Sequence, residues 1–291
     1  MKNKIFLFPI LAGFILLASC NDQSSQPVAT KNTESSPVTD NWKLGVQMWT
    51  FRMFSQTEAL KKADSGGVKF IEAYLGQPFD NNSKDTFGLN LSDSGRQKLK
   101  ALLQSHQIQM VAMGVTVPKT REEWIKTFDL AKYFGLSYIT SEPIKTHWDL
   151  IDSLAGAYAI RVAIHDHPKP NPYWHPDSVL AAIAGRKNIG ACADIGHWAR
   201  SGLNIVECLK KLEGHIYGVH LKDIREFDKA DAADTTVGKG IIDFTAALSE
   251  LKRQNFSGML SIEHESNWLN NVPDVIETVR FYNEELEKLK K

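Results

Sequence analysis

The chain has 291 residues, of which 43% are hydrophobic, and it carries 34 basic and 34 acidic side chains. A net charge of zero leaves no basic footprint for nucleic acid, and three cysteines give no sign of a disulfide framework.

Met1 to Cys20 reads as an export signal, with Lys2 and Lys4 ahead of an apolar stretch from Ile5 to Leu17 and small residues Ala18 and Ser19 before a cleavage point. The stretch is too short for a stable membrane span. Loss of Lys2 and Lys4 leaves 32 basic against 34 acidic side chains, a charge of −2. Leu17-Ala18-Ser19-Cys20 resembles a bacterial lipoprotein box, which implies lipidation of Cys20 and a membrane-anchored protein facing the periplasm. From Asn21 to Asn41 the chain is polar and poor in large apolar residues, a composition that makes a flexible tether. The expected organisation is a signal peptide over 1–19, a lipidated Cys20 and linker over 20–41, and one folded domain over 42–291.

Within that domain strand-like and helix-like segments alternate. Strands are expected at Leu44–Trp49, Lys69–Tyr74, Ile108–Val115, Ser137–Ser141, Arg161–His165, Ile189–Asp194, Ile216–Leu221 and Met259–Glu263. Between and after them lie amphipathic stretches at Thr57–Ser65, Ser94–His106, Glu122–Phe134, Trp148–Tyr158, Asp177–Ala184, Asn204–Leu212, Phe244–Gln254 and Pro273–Lys290. In the last, Val275, Val279, Tyr282 and Leu286 recur at helical spacing. Eight of each in strict order predict an α/β fold, a single closed (β/α)8 barrel. An open doubly wound sheet fits less well, because no Gly-rich loop follows the first strand. Cys192 and Cys208 fall in apolar patterns and read as buried fillers.

Four of the apolar runs end in a residue able to bind a metal: Glu142, Asp194, His220 and Glu263. In a parallel barrel these ends converge on the face that carries chemistry. Three carboxylates and one imidazole favour one divalent ion, Mn²⁺, Mg²⁺ or Co²⁺, with Zn²⁺ also admitted. Taken singly each has a plainer reading; Asp194, for example, suits an Asx turn. His197, Lys222, His165 and His167 lie close by in sequence, and Trp49, Trp174, Trp198 and Trp268 fall near the same loops, where an aromatic face stacks on a sugar ring or packs in the core.

Gln47-Met48-Trp49, Ile71-Glu72-Ala73, Ile164-His165-Asp166-His167, Cys192 to His197, Val219 to Asp223, Gly238 to Phe244 and Ser261-Ile262-Glu263 follow in order the pattern of the sugar phosphate isomerase/epimerase family, the xylose isomerase-like barrels. The resemblance covers nearly everything after residue 41. It implies a divalent metal on Glu142, Asp194, His220 and Glu263, with Glu142 and Glu263 as acid and base. Substrate contacts are expected from His197, His167, Lys222, Glu72 and Trp49.

The expected reaction is metal-dependent isomerisation or epimerisation of a sugar, by α-proton abstraction through an enediolate. The alternative reading is a lyase that expels the aglycone of a 3-keto glycoside after the same first step. A sugar-binding lipoprotein without turnover is a further one. Phosphodiester cleavage would need additional histidines at the ends of strands two and three, where the chain has Glu72-Ala73-Tyr74 and Met113-Gly114-Val115. The expected partner is a small carbohydrate, with membrane contact only through Cys20.

Overall fold

The computed structural model describes residues 38–80 and 85–290. The expected leader, Cys20 and most of the linker lie outside these residues. The last part of the linker does not: Val38–Asn41 form a 3₁₀ turn with Thr39 buried, and Trp42 donates from Nε1 to the Phe256 carbonyl at 2.8 Å.

Ten strands are present among the described residues. They are β1 Lys43–Gln47, β2 Phe70–Ala73, β3 Gln109–Thr116, β4 Tyr138–Ser141, β5 Arg161–His165, β6 Ile189–Asp194, β7 Ile216–Leu221, β8 Asp223–Ile224, β9 Asp234–Thr235 and β10 Met259–Ile262. Eight of them close a parallel barrel in the order β1-β10-β7-β6-β5-β4-β3-β2, and β8 and β9 form a separate antiparallel pair. Every expected barrel strand is found. The strands read as apolar runs because both of their faces are covered, as in β6, where all six residues are buried.

Among the described residues nine α-helices surround the barrel: α1 Gln56–Ser65, α2 Asp93–Ser105, α3 Arg121–Phe134, α4 Trp148–Tyr158, α5 Pro176–Ile183, α6 Ile195–Arg200, α7 Ile205–Lys211, α8 Phe244–Arg253 and α9 Val272–Leu289. Their starts are encoded locally. Ser55 and Glu58 make a reciprocal capping box on α1, and Ser92, Thr120, Asn204 and Asp243 accept from the first turns of α2, α3, α7 and α8. Gly135 ends α3 at φ 69°, a left-handed conformation that glycine adopts without penalty. Cys192 and Cys208 are free and buried, as fillers should be.

One helix and one hairpin have no counterpart in the expected elements. Helix α6 starts on Asp194, whose Oδ1 accepts from the His197 amide at 2.9 Å. The hairpin follows β7 directly and is organised by Asp223. Its carboxylate accepts from the amides of Ile224, Gly238 and Gly240 at 2.9, 3.0 and 2.8 Å.

Candidate metal centre

The carboxyl ends of β5, β6, β7 and the segment after β10 bring four donors together: His165, Asp194, His220 and Glu263, all buried, with ligand atoms within 4.8 Å of one another. Neighbouring strand registers explain the convergence. Asp194 pairs with His220, and Ser261 with His220, so the side chains at the strand ends share one level.

Two of these atoms make no hydrogen bond. His165 Nε2 and Asp194 Oδ2 are buried without a hydrogen bond, and they stand 3.7 Å apart, beyond bonding distance to each other. His220 Nδ1 is 3.8 Å from Asp194 Oδ2 and 3.0 Å from Glu263 Oε2. Ligand bonds of about 2.0 to 2.2 Å place two donors of one ion roughly 3 to 4 Å apart. Unsatisfied buried lone pairs are costly, and a shared cation satisfies them. The residues therefore fit a divalent ion.

Glu142 is not among these four; with His165 and His167 it forms a neighbouring candidate group. Its Oε1 is 3.1 Å from His165 Nδ1 and bonded to His167 Nδ1, while Oε2 accepts from Asn171 Nδ2 at 2.7 Å. His165 belongs to both groups. Burial pushes the Glu142 carboxyl up, but the bonds from His165 and His167 outweigh it and hold the group well below the usual carboxylate range. Carboxylates act on His165 in turn: burial lowers it, and the nearby Asp194 and Glu142 carboxylates raise it to about 9. Glu263 is pushed up by burial but held at about 2 by Lys222 and His220.

Three of the expected substrate contacts turn inward. Glu72 is completely buried and accepts at Oε2 from His220 Nε2 at 3.0 Å and from Ser261 Oγ at 3.1 Å. It therefore orients His220 from beneath. Lys222 is also completely buried, with Nζ 3.3 Å from Asp194 Oδ2, 3.1 Å from Glu263 Oε2 and 2.6 Å from Glu265 Oε1. The ammonium balances carboxylate charge that would otherwise repel itself. His197 Nε2 lies 3.2 Å from Lys222 Nζ and Nδ1 lies 3.1 Å from Arg200 Nη1. Both ring nitrogens face protein cations, and burial drives the imidazole toward its neutral form.

His167 and Trp49 instead line an open cleft of about 310 Å³ together with Gln47, Tyr74, His165 and Glu263. Trp198, by contrast, is 1% exposed and belongs to the core. Asn171 carried no motif in the sequence; the only signal was its place in the loop after β5. A second cavity, of about 370 Å³, lies at the opposite end of the barrel beside Lys43, Tyr138, Arg161 and Gly258. It holds none of the four donors.

Fold and site together define a closed (β/α)8 barrel with a buried four-donor cluster, a candidate cation site, on its carboxyl face. The chain belongs to the xylose isomerase-like TIM barrel family, whose profile matches residues 60–285. It is 24% identical over 249 residues to an inosose isomerase of Halalkalibacterium halodurans, covering 75% of this chain and 85% of that protein. Among solved structures, an uncharacterized protein of Parabacteroides distasonis is 35% identical with a TM-score of 0.69, covering 84% of this chain and 99% of that one. The zinc-bound IOLI protein shares the fold at 22% identity and a TM-score of 0.65, covering 85% of this chain and 99% of that one.

Proposed function

We propose that the protein is a divalent-metal-dependent enzyme that isomerises or epimerises a sugar by moving a proton at the carbon next to a carbonyl. The observation that carries this reading is the buried four-donor cluster that opens on a cleft, in which His165 Nε2 and Asp194 Oδ2 make no hydrogen bond. Kinship with an inosose isomerase supports the sugar-modifying class.

His165, Asp194, His220 and Glu263 would hold the ion. Two imidazoles and two carboxylates are richer in nitrogen than the set expected from the sequence, which moves the preference from Mg²⁺ toward Zn²⁺, Co²⁺ and Mn²⁺. The zinc carried by the IOLI protein agrees with that shift. A bound divalent ion supplies Lewis acidity that polarises a carbonyl and acidifies the adjacent C–H.

The protein's own groups then move the proton. In the closed order of eight strands, β4 lies four places from β10, so Glu142 and Glu263 come from opposite sides of the barrel mouth. Glu142, kept ionised by His165 and His167 and oriented by Asn171, accepts the α-proton at a carboxylate oxygen, and the substrate is left as an enediolate. Glu263 serves the other face. Return of a proton to the opposite face epimerises the centre, and return to the neighbouring carbon isomerises it. His167 and Trp49 line the cleft and position the sugar.

Deuterium incorporation from solvent, screened over free sugars, glycosides and their keto forms with Zn²⁺, Co²⁺ or Mn²⁺, tests the shared first step. Exchange at an α-carbon that depends on added metal is expected; its absence with every sugar and metal rejects the reading. Released aglycone from a 3-keto glycoside would assign elimination in place of isomerisation. The N-terminal signal and Cys20 extend the proposal to an exported, lipid-anchored enzyme. Membrane release in a Cys20→Ala variant is the expected outcome, and retention would remove the anchor.

A further inference from the structure

The loops that follow β1 and β10 meet beside the cleft, and they bring together side chains that take no part in the cation site. Arg52, in the loop after β1, lies between two indoles. Its guanidinium carbon is 4.7 Å from the ring centre of Trp49 and 3.6 Å from that of Trp268. Trp49 also meets Tyr74 edge-on with ring centres 5.0 Å apart, and Tyr74 donates from its hydroxyl to the Arg52 carbonyl at 3.4 Å. The two loops are tied to each other. Thr50 Oγ1 donates to the Ile262 carbonyl at 3.4 Å and accepts from the His264 amide at 3.1 Å, while Asn271 Nδ2 donates to the Thr50 carbonyl.

Among the described residues Arg52 has no carboxylate partner, and its guanidinium donates no hydrogen bond. Arg200 shows the contrasting case, bonded to the Asp234 carboxylate and, from Nη2, to the Ala232 carbonyl at 2.8 Å. Two indoles packed against the guanidinium of Arg52 restrict its rotamers, and its N–H groups remain for a ligand. A fork held in place before binding suits an oxyanion taken in bidentate fashion. Trp49 and Tyr74 are themselves walls of the cleft that reaches His165 and Glu263.

We propose that Arg52, clamped by Trp49 and Trp268, is an oxyanion subsite, and that the sugar taken by this protein bears an anionic group remote from its reacting carbons. The shared chemistry is a carboxylate, sulfate or phosphate ester on a sugar. The inference rests on the reading of the cleft as a carbohydrate site. It gives Trp49 and Trp268 the task of holding an arginine, in place of stacking on a pyranose face.

Calorimetric titration of the full-length, metal-loaded chain with D-glucuronate, D-glucose 6-sulfate, D-glucose 6-phosphate and D-glucose tests it. At least one anionic sugar is expected to bind roughly tenfold or more tighter than D-glucose, the size of a charge-assisted bidentate contact. The tightest of the three identifies the anion. In Arg52→Met that preference should fall to near unity, and Arg52→Lys should lose most of it, since a lysine keeps the charge without the fork. No anionic sugar binding tighter than D-glucose, or a preference that survives in Arg52→Met, overturns the subsite. Binding is read without turnover. Loss of proton exchange in every sugar would therefore reject the enzymatic reading and leave the subsite intact, whereas loss of the preference rejects the subsite even where exchange occurs.

Discussion

His220 Nε2 and Glu72 Oε2 lie 3.0 Å apart, with both side chains completely out of contact with solvent. A carboxylate can only accept, so Nε2 carries a proton toward Glu72, and Nδ1, turned toward Asp194 and Glu263, is the nitrogen that would meet a bound ion. Carboxylates behind a ligand histidine fix its tautomer and ring orientation. Glu72→Gln should therefore weaken metal binding by about 10- to 100-fold. Competition with a chromophoric chelator measures this, and circular dichroism checks that the barrel survives. Unchanged affinity would show that Glu72 acts on something other than His220.

Glu142 and Glu263 separate by the same measurement. Glu142 is bonded to His165, His167 and Asn171 and lies outside the four-donor cluster. Glu142→Gln should keep metal affinity within a few-fold of the parent while proton exchange falls by roughly 10² to 10⁴. Glu263→Gln should lose both. Equal loss of metal affinity in the two variants would return Glu142 to the ligand set.

Lys222 gives a third test. Its ammonium touches Asp194, Glu263 and Glu265 in the interior, at 3.3, 3.1 and 2.6 Å. Lys222→Met leaves three carboxylates with less compensation and should destabilise the metal-free protein by about 3 to 5 kcal/mol. Added divalent metal should recover a large part of that loss. Denaturant unfolding with and without metal reads both quantities, and a variant as stable as the parent would deny Lys222 its charge-balancing role.

Gly240 shows how the loop after β7 is held. A Cβ there would lie 2.2 Å from Asp223 Oδ1 and 2.3 Å from the Ile224 carbonyl oxygen. Gly240→Ala should cost about 1 to 3 kcal/mol, as overpacking does. Denaturant unfolding measures it. A cost near zero would mean that the Asp223 knot yields freely.

The barrel was legible because each strand between two covered faces must be a short apolar run, and the helices carry one apolar face and, for all but α4 and α9, an N-terminal side-chain cap. What escaped was small or positional. Helix α6 has six residues and begins on Asp194, whose turn signature hid a helix start. The β8–β9 pair has two residues per strand and no periodicity to detect. That Asp194, His220 and Glu263 come together could be read from strand ends alone. How Glu142 and His165 divide between neighbouring groups could not, since Ser141 pairs with Ile164 and the two share one level on adjacent strands. Only the side-chain packing shows His165 toward Asp194 and Glu142 toward His167 and Asn171. Burial likewise decided Glu72 and Lys222, polar residues at strand ends that the fold encloses beneath the cleft.

The central claim is that His165, Asp194, His220 and Glu263 share one divalent ion. An anomalous-difference map from crystals grown with Zn²⁺ or Mn²⁺ tests it most directly. The account predicts a single strong peak within about 2.0 to 2.3 Å of Asp194 Oδ2, His165 Nε2, His220 Nδ1 and a Glu263 oxygen. A peak on Glu142 and His167 in place of that cluster, or no peak at saturating metal, would contradict it.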